Sequence, residues 1–247
     1  MLQKSKIEWT NFSINPVRGL CPVDCKDNQG KSYCYARKMY KRFHWDETIR
    51  YEPEVFQEVE DLASKIKFQP TNLKFFVGST MELFGKWVKD EWMKEILWFC
   101  GSYPQFTFIF LSKEPHYLKK WDFPNNAWVG ISTTGNDSRS GLEDNLKEVK
   151  AKVKFVSIEP LLDYTPMDFR WVSWVIVGRC TPISEKTKPH INWIADICER
   201  ADAERKPIFL KNNLSSMLRE KTDLGTELLN FNLFYGDDFK LRQEFPK

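Results

Sequence analysis

The 247-residue sequence predicts an α/β fold in which six to seven parallel strands form a complete or partial TIM-like (β/α) barrel. Two observations lead to this prediction. Short apolar runs rich in β-branched and aromatic residues recur along the chain, as expected for strands that are buried on both faces. Amphipathic stretches with helical spacing separate most of these runs, and strands that alternate with helices form right-handed βαβ units and a parallel sheet.

The strands follow from the apolar runs. A first strand is predicted around residues 12–17, although Pro16 disfavours a strand interior because it lacks a backbone N–H. The six runs that predict the later strands are LKFFVG (73–78), FTFIFL (106–111), AWVGIS (127–132), VKFVSI (153–158), WVIVG (174–178) and PIFLK (207–211).

Helices are predicted over residues 46–67, 86–100 and 190–201. The connection over residues 159–171 is predicted to be irregular because it is short and carries two prolines. No linker, repeat or low-complexity segment interrupts the pattern, so the sequence predicts a single domain over residues 1–247. A Rossmann-like open sheet is the alternative, and the lack of a GxGxxG motif after the first strand disfavours dinucleotide binding.

Charge and hydropathy limit the classes of partner. Lys and Arg number 37 and Asp and Glu number 34, a balance that neither requires nor excludes a nucleic-acid partner. No apolar run approaches the roughly 20 residues that span a bilayer, and the N-terminal MLQKSKIEWT lacks the apolar core of a signal peptide. A cytoplasmic protein without membrane association is therefore predicted. In that reducing compartment, clustered cysteines more often serve metal binding or catalysis than cross-linking.

The segment CPVDCKDNQGKSYCYA (21–36) contains three of the six cysteines, spaced C-x3-C-x8-C, with Tyr33 directly before the third. Iron–sulfur clusters are held by Cys thiolates, and a four-iron cluster with three protein ligands keeps one iron open to an exogenous ligand. Radical S-adenosylmethionine (SAM) enzymes use this arrangement, in loops that usually contain C-x3-C-x-aromatic-C. We therefore predict a 4Fe-4S cluster-binding loop over residues 19–36. Its predicted ligands are Cys21, Cys25 and Cys34.

Two alternatives stay open for these cysteines. A zinc site with His44 as its fourth ligand is one, although His44 lies ten residues past Cys34, outside the usual spacing. The other is that the three cysteines are unrelated structural thiols. Outside the loop, Cys100 and Cys198 lie on apolar helix faces and are expected to pack in the core. The stretch KDNQGK (26–31) between the second and third cysteines is typical of a turn.

Seven blocks in order along the chain carry a family resemblance: KIEWTNFSINPVRG (6–19), STMELFGKWV (79–88), FTFIFLSKEPHYL (106–118), AWVGIS (127–132), FVSIEPLL (155–162), WVIVG (174–178) and PIFLKN (207–212). Together they resemble a radical-SAM-like family that is common in phages and prophages, is described by its three-Cys motif and has no assigned function. Members usually have the longer gap between their first two cysteines, whereas here the long gap is second. The resemblance implies a radical-SAM barrel, a 4Fe-4S cluster, SAM and a flavodoxin- or ferredoxin-like electron donor, and it supplies no substrate.

Polar residues at the carboxyl ends of the predicted strands are the candidates for cofactor binding, since these ends form the usual active face of such sheets. Loops are polar in general, which is the alternative for each residue. For Glu82 the specific alternative is first-turn capping of a helix. For Glu159 it is a salt bridge with Lys113 or Lys211. The predicted cofactor-binding residues are Tyr33 (against the adenine), Ser79, Thr80, Glu82, Ser112, Lys113, Ser132 and Glu159.

Cys180 follows WVIVG (174–178), where the family more often has a small or acidic residue. A thiol has a weak S–H bond, so a cysteine at the barrel mouth is able to donate a hydrogen atom to a substrate radical. This predicts a catalytic role for Cys180. The alternative is that Cys180 packs as a small apolar residue.

The segment after the cysteine loop mixes basic and aromatic residues. Such a mixture suits a nucleic-acid backbone with stacked bases, so a nucleic acid is a candidate partner. The alternative is a solvated helix face whose aromatic side chains turn to the core. The residues concerned are Arg37, Lys38, Lys41 and Arg42, with Tyr35, Tyr40, Phe43 and Trp45 among them.

Taken together, these features predict a radical SAM enzyme that cleaves SAM reductively to a 5′-deoxyadenosyl radical and acts on an unidentified substrate. One rival is a zinc-stabilised binding protein without chemistry. The other is a degenerate barrel that keeps the cluster for a structural or electron-transfer purpose.

Overall fold

The apolar runs of the sequence form the strands of the computed structural model, which describes residues 2, 4–27, 29–67, 69–135, 142–222, 233–235 and 240–247. Eleven strands lie in this described part of the chain. They are Phe12–Ile14 (β1), Val17–Arg18 (β2), Arg50–Tyr51 (β3), Lys74–Val77 (β4), Thr107–Ser112 (β5), Ala127–Thr133 (β6), Val153–Ile158 (β7), Trp174–Val177 (β8), Ile208–Leu210 (β9), Phe234–Tyr235 (β10) and Lys240–Leu241 (β11).

Seven of these strands form one sheet in the order β1-β4-β5-β6-β7-β8-β9. The β1–β4, β4–β5, β7–β8 and β8–β9 pairs are parallel, and neighbours in the sheet follow one another along the chain apart from the short β2 and β3. Parallel neighbours require crossover connections, which is why helices or long loops separate these strands. The predicted parallel α/β sheet is confirmed.

Six α-helices lie among the described residues, and none of them is both long and apolar enough to cross a membrane. Three short 3₁₀ turns, Pro115–Lys120, Glu185–Thr187 and Asn212–Leu214, lie in the connections. The helices are Tyr35–Phe43 (α1), Val55–Lys65 (α2), Asp90–Ser102 (α3), Leu142–Glu148 (α4), Ile191–Ala203 (α5) and Ser215–Thr222 (α6).

The helix predicted over residues 46–67 is wrong in its first half. The structure places β3 there, antiparallel to β2, and α2 begins only at Val55. Pro53 explains the boundary, because a proline disfavours helical backbone in the residue before it and lacks the N–H that a helix interior needs. The first strand, predicted over residues 12–17, likewise ends at Ile14, before Pro16.

The described chain divides into two compact units. Unit 1 comprises Met1–Lys26, Cys34–Gly130 and Glu148–Lys152. Its core is aromatic: the ring of Phe75 lies 5.0 Å from that of Phe106 and 5.4 Å from that of Phe108, and all three are buried. Such close aromatic contacts add to the free energy gained by burying the rings.

Unit 2 comprises Asp27–Tyr33, Ile131–Lys147 and Val153–Lys247. Its core centres on Trp174 of β8, which is fully buried and lies 5.5 Å from the ring of Phe155 and 6.0 Å from that of Phe209. The Trp174 indole N–H donates a 2.7 Å hydrogen bond to the backbone oxygen of Glu244, so the buried polar atom of this side chain is satisfied.

Candidate functional site

The three cysteines of the predicted cluster loop lie near one another in unit 1. Cys21, Cys25 and Cys34 are half-buried and form no disulfide. A hydrogen bond from the Cys25 thiol lowers the pKa of Cys34 to about 6 and raises the pKa of Cys25. Cys21 lies close enough to interact electrostatically with the other two, while burial raises its own pKa. The structure therefore brings the three predicted ligands together.

Backbone N–H groups point at two of these sulfur atoms. Cys34 is the N-cap of α1, and its Sγ accepts a hydrogen bond from the Arg37 N–H at 3.5 Å. The Sγ of Cys21 accepts one from the Glu82 N–H at 3.4 Å. The Arg37 guanidinium also donates to the backbone oxygen of Cys21 at 2.9 Å, which joins the start of the loop to α1. Donors in these positions favour the thiolate form that binds metal.

Gly19 allows the chain to enter the loop. Its φ of +123° is strained for any other residue, and a Cβ there would lie 2.6 Å from the Cα of Ile49. The Gly19 N–H donates a 2.8 Å hydrogen bond to the hydroxyl of the buried Tyr40 on α1. The cysteine segment is therefore joined to α1 at its start, through Gly19, and at its end, through the N-cap Cys34.

The donor set of the cysteine loop suits an iron–sulfur cluster, because Cys thiolates are the usual protein ligands of such clusters. Among the described residues, no group of three or more His, Cys, Asp or Glu side chains is arranged to hold one metal ion. His44 of the zinc alternative is exposed and caps the far end of α1, about 15 Å from Cys34 along the helix.

Glu82 lies buried beside this loop and joins two strand ends of unit 1. Its carboxylate accepts hydrogen bonds from the Phe84 N–H (2.9 Å), the Ser112 hydroxyl (3.0 Å) and the Lys113 N–H (2.6 Å). Burial raises the pKa of Glu82 to about 7, against the opposing effect of these donors. The alternative of helix capping is wrong, because α3 begins only at Asp90. Sequence reasoning placed Glu82 at the site but did not find these partners.

Asn15 is a residue that the sequence analysis missed. Its side-chain oxygen accepts hydrogen bonds from the Ser79 hydroxyl (3.2 Å), the Thr80 N–H (3.0 Å) and the Thr80 hydroxyl (3.1 Å). The Tyr35 hydroxyl donates to the backbone oxygen of Ser79. Asn15 therefore sets the conformation of the turn after β4. The signal available in the sequence was its place directly after β1, before a proline.

In unit 2, Glu159 forms an ion pair with Lys211, which is one of the partners that the sequence analysis named as the alternative. The two side chains pack over Gly178, where a Cβ would lie 2.9 Å from Cδ of Lys211 and 3.2 Å from Cδ of Glu159. Ser132 is buried, and its hydroxyl donates to the backbone oxygen of Glu159 at 3.4 Å. Lys211 therefore pairs with one oxygen, Oε1, of the carboxylate that was predicted to bind a cofactor.

Arg179 and Cys180 follow β8 and are buried, at 2% and 6% exposure. The Arg179 guanidinium donates to the backbone oxygen of Ser184 at 3.3 Å, its Nε has no partner, and no carboxylate of the described residues pairs with it. The main chain of Arg179 exchanges hydrogen bonds with the Asn213 side chain. A buried thiol is compatible with packing, and the hydrogen-donor role of Cys180 stays a prediction.

Tyr33 is half-buried at the end of the inserted stretch in unit 2. That stretch is a turn, as predicted: the Asp27 carboxylate accepts hydrogen bonds from the N–H groups of Gln29 (3.0 Å) and Lys31 (2.9 Å). Asp in this position favours such a turn because its side chain bonds the following backbone. Contact of Tyr33 with an adenine stays a prediction.

A family model described as a protein of unknown function (DUF5131) matches residues 4–228. The chain belongs to the DUF5131 family. The sequence-based expectation of a family without an assigned function is thereby confirmed. No curated protein matches the sequence of this DUF5131 member.

Solved structures of spore photoproduct lyase share its fold. A mutant of that lyase with bound AdoMet and dinucleoside spore photoproduct has a TM-score of 0.55 at 14% identity, over 73% of this chain and 59% of the lyase. The lyase complexed with dinucleoside spore photoproduct has a TM-score of 0.52 at 15% identity, over 72% and 58%. The chain thus spans about three fifths of the lyase. At this identity the likeness shows the fold alone, and the predicted class, an α/β fold with a parallel sheet, is confirmed.

Proposed function

We propose that this DUF5131 member is a radical SAM enzyme in which three cysteines hold a 4Fe-4S cluster. The observation that carries the proposal is the convergence of three free thiols from one loop, in a fold shared with a lyase that binds AdoMet. A cluster bound there would supply the electron for reductive cleavage of SAM. The proposed ligands are Cys21, Cys25 and Cys34.

The residues of the chain prepare the thiols for this role. The lowered pKa of Cys34 presents a thiolate, and the Lys113 ammonium favours the charged form of Cys25. Hydrogen bonds from the Glu82 and Arg37 N–H groups to sulfur withdraw electron density, which is a means by which proteins tune cluster potential. Half-burial of the three cysteines limits access of water and oxidants.

SAM is proposed to bind along the polar strand ends. The turn after β4, with Ser79 and Thr80 held by Asn15, presents a fixed polar surface in unit 1. In unit 2, Tyr33 is proposed for the adenine, and Ser132 and Glu159 for the ribose or the substrate. A cytoplasmic setting with a flavodoxin- or ferredoxin-like reductant completes the proposal, and the substrate class is taken up below.

Anaerobic reconstitution with iron and sulfide tests the ligands. Replacing Cys21, Cys25 or Cys34 with Ala should abolish cluster binding, since two thiolates do not retain a four-iron cluster. The matched controls are Cys100→Ala and Cys198→Ala, which remove buried thiols on α3 and α5 and should keep the iron content. A Cys21→Ala protein with wild-type iron would show the ligand assignment to be wrong.

The chemistry is tested separately, by assaying 5′-deoxyadenosine after reduction with dithionite in the presence of SAM. The proposal expects this product from the reconstituted protein and none from the Cys34→Ala variant. Iron without SAM cleavage would identify the degenerate barrel instead. Stoichiometric zinc, with no chromophore after reconstitution, would identify the zinc-stabilised binding protein.

A further inference from the structure

The helix that follows the cysteine loop carries a concentration of positive charge on unit 1. From Cys34 to Trp45 the sequence contains four basic residues and no acidic residue. Arg37 is half-buried and bonds the backbone of Cys21, so it serves the loop. The other three are exposed and, at spacings of three and four, lie on one side of α1. Together with two aromatic residues they form the α1 patch, which comprises Lys38, Lys41, Arg42, Phe43 and Trp45.

Two aromatic rings at the end of α1 form a stack that faces solvent. Phe43 is 51% exposed and Trp45 is 42% exposed, and their rings lie 5.5 Å apart with an interplanar angle of 23°. Residues two apart do not face each other on a helix. Here His44 ends α1 in the left-handed conformation (φ 50°), which brings its two neighbours side by side.

Two neighbouring side chains contact the rings of the stack. The Arg42 guanidinium lies 5.3 Å from the centre of the Phe43 ring, within the range of a cation–π contact. The buried Tyr40 meets the Trp45 ring edge-on at 5.2 Å. The alternative in which the aromatic side chains of this segment turn to the core is correct for Tyr40 and wrong for Tyr35, Phe43 and Trp45. Two adjacent exposed rings beside exposed cations therefore form a surface that is accessible to a partner.

We infer that the α1 patch binds a single-stranded nucleic acid. Its three exposed cations complement the negative charge of a phosphate backbone. The exposed aromatic rings suit an unpaired base, because the face of such a base is open whereas in a duplex it is covered by its neighbours. A membrane surface is a poorer match because the patch has no aliphatic face. An acidic peptide would use the cations but not the stack.

The inference deepens the proposed function, because it supplies a substrate class. α1 begins directly after Cys34, so at about 1.5 Å per helical residue the patch begins at Lys38, about 6 Å from this proposed cluster ligand, and reaches Phe43 at about 14 Å. A strand bound at the patch is therefore held within a few nucleotides of the cysteine loop. Binding itself needs no cluster chemistry, and it is measured independently of SAM cleavage.

Fluorescence anisotropy with a fluorescein-labelled oligothymidylate tests the inference on the reconstituted protein. Trp45→Ala should weaken binding about tenfold, since one base–aromatic stack is lost. The matched control is Trp98→Ala, which removes a tryptophan that is 72% exposed on α3 of the same unit and should leave affinity unchanged. Lys41→Gln should lower the magnitude of the salt slope, d(log K)/d(log[salt]), by about 0.7, the value for one phosphate contact to a single strand.

Any of three results would contradict the inference. The first is that the protein does not bind oligothymidylate, and the second is that Trp45→Ala and Trp98→Ala bind it with equal affinity. The third is that polyglutamate or anionic vesicles displace the labelled oligonucleotide as well as unlabelled oligonucleotide does. Thermal melts confirm that each variant is folded, and Lys41→Gln provides a second readout should Trp45→Ala fail to fold. Binding in a protein that takes up no iron would leave the inference standing and remove the proposed function. Iron uptake and SAM cleavage without binding would remove the inference alone.

Discussion

Replacing Glu82 tests whether one buried carboxylate organises the strand ends beside the cysteine loop. In the wild-type protein it accepts hydrogen bonds from two main-chain N–H groups and one hydroxyl, and its own N–H bonds the Cys21 sulfur. Glu82→Ala removes all three acceptor contacts. Glu82→Gln keeps the size of the side chain and one acceptor oxygen. Its other terminal atom is an amide NH₂ group, which faces a hydrogen-bond donor and cannot accept from it.

The expected magnitudes follow from the donors left without a partner. An unsatisfied buried donor costs about 1–3 kcal/mol. Glu82→Gln leaves one donor without a partner and should lower the free energy of unfolding by about 2 kcal/mol. Glu82→Ala leaves three donors without a partner and should lower it by about 4 kcal/mol. For a chain of this size, each kcal/mol lowers Tm by about 3 °C. Both variants should also reconstitute with less iron, because the segment that bonds Cys21 is less ordered.

Urea denaturation of the apo protein, with iron content measured after reconstitution, provides the assay. Glu47→Gln, a neutralised exposed carboxylate of the same unit, is the control and should change the free energy of unfolding by less than about 0.5 kcal/mol. If Glu82→Ala differs from this control by less than about 1 kcal/mol, or if Glu82→Gln is the more damaging change, the hydrogen-bond argument is refuted.

Three further predictions concern unit 2. Tyr33→Gly should weaken SAM affinity in calorimetric titration while Tyr33→Phe changes it little; equal affinity for wild type and Tyr33→Gly would exclude the adenine contact. Cys180→Ala should keep iron and SAM cleavage but lose or reroute the substrate product, and normal turnover would assign the thiol to packing. Lys211→Met leaves the Glu159 carboxylate unpaired and should cost about 2 kcal/mol in urea denaturation. Adding Glu159→Gln should recover part of that loss, and strictly additive losses would show that the pair does not interact.

Local pattern alone predicted the strands of the seven-stranded sheet and the helices α3 and α5. The runs that became β4, β5 and β8 are apolar on both faces because a parallel sheet is covered on both sides, and that property is visible without tertiary information. The chemistry of the cysteine segment was equally local, since three closely spaced thiols limit the ligand types that a site accepts. The prediction failed where proline intervened, at Pro53, whose restriction on the preceding residue was not weighed against the helical pattern.

Only the tertiary structure decided which polar residues contact one another. Asn15 and Thr80 are 65 residues apart in the chain, and Glu82 and Lys113 are 31 apart, so no local pattern pairs them. The exposure of Phe43 and Trp45 is a tertiary outcome too, because the segment is equally compatible with aromatics turned inward. Sequence specifies which chemical groups are present and their local conformation. Their partners and their access to solvent depend on contacts between distant segments, which exist only once the sheet has assembled.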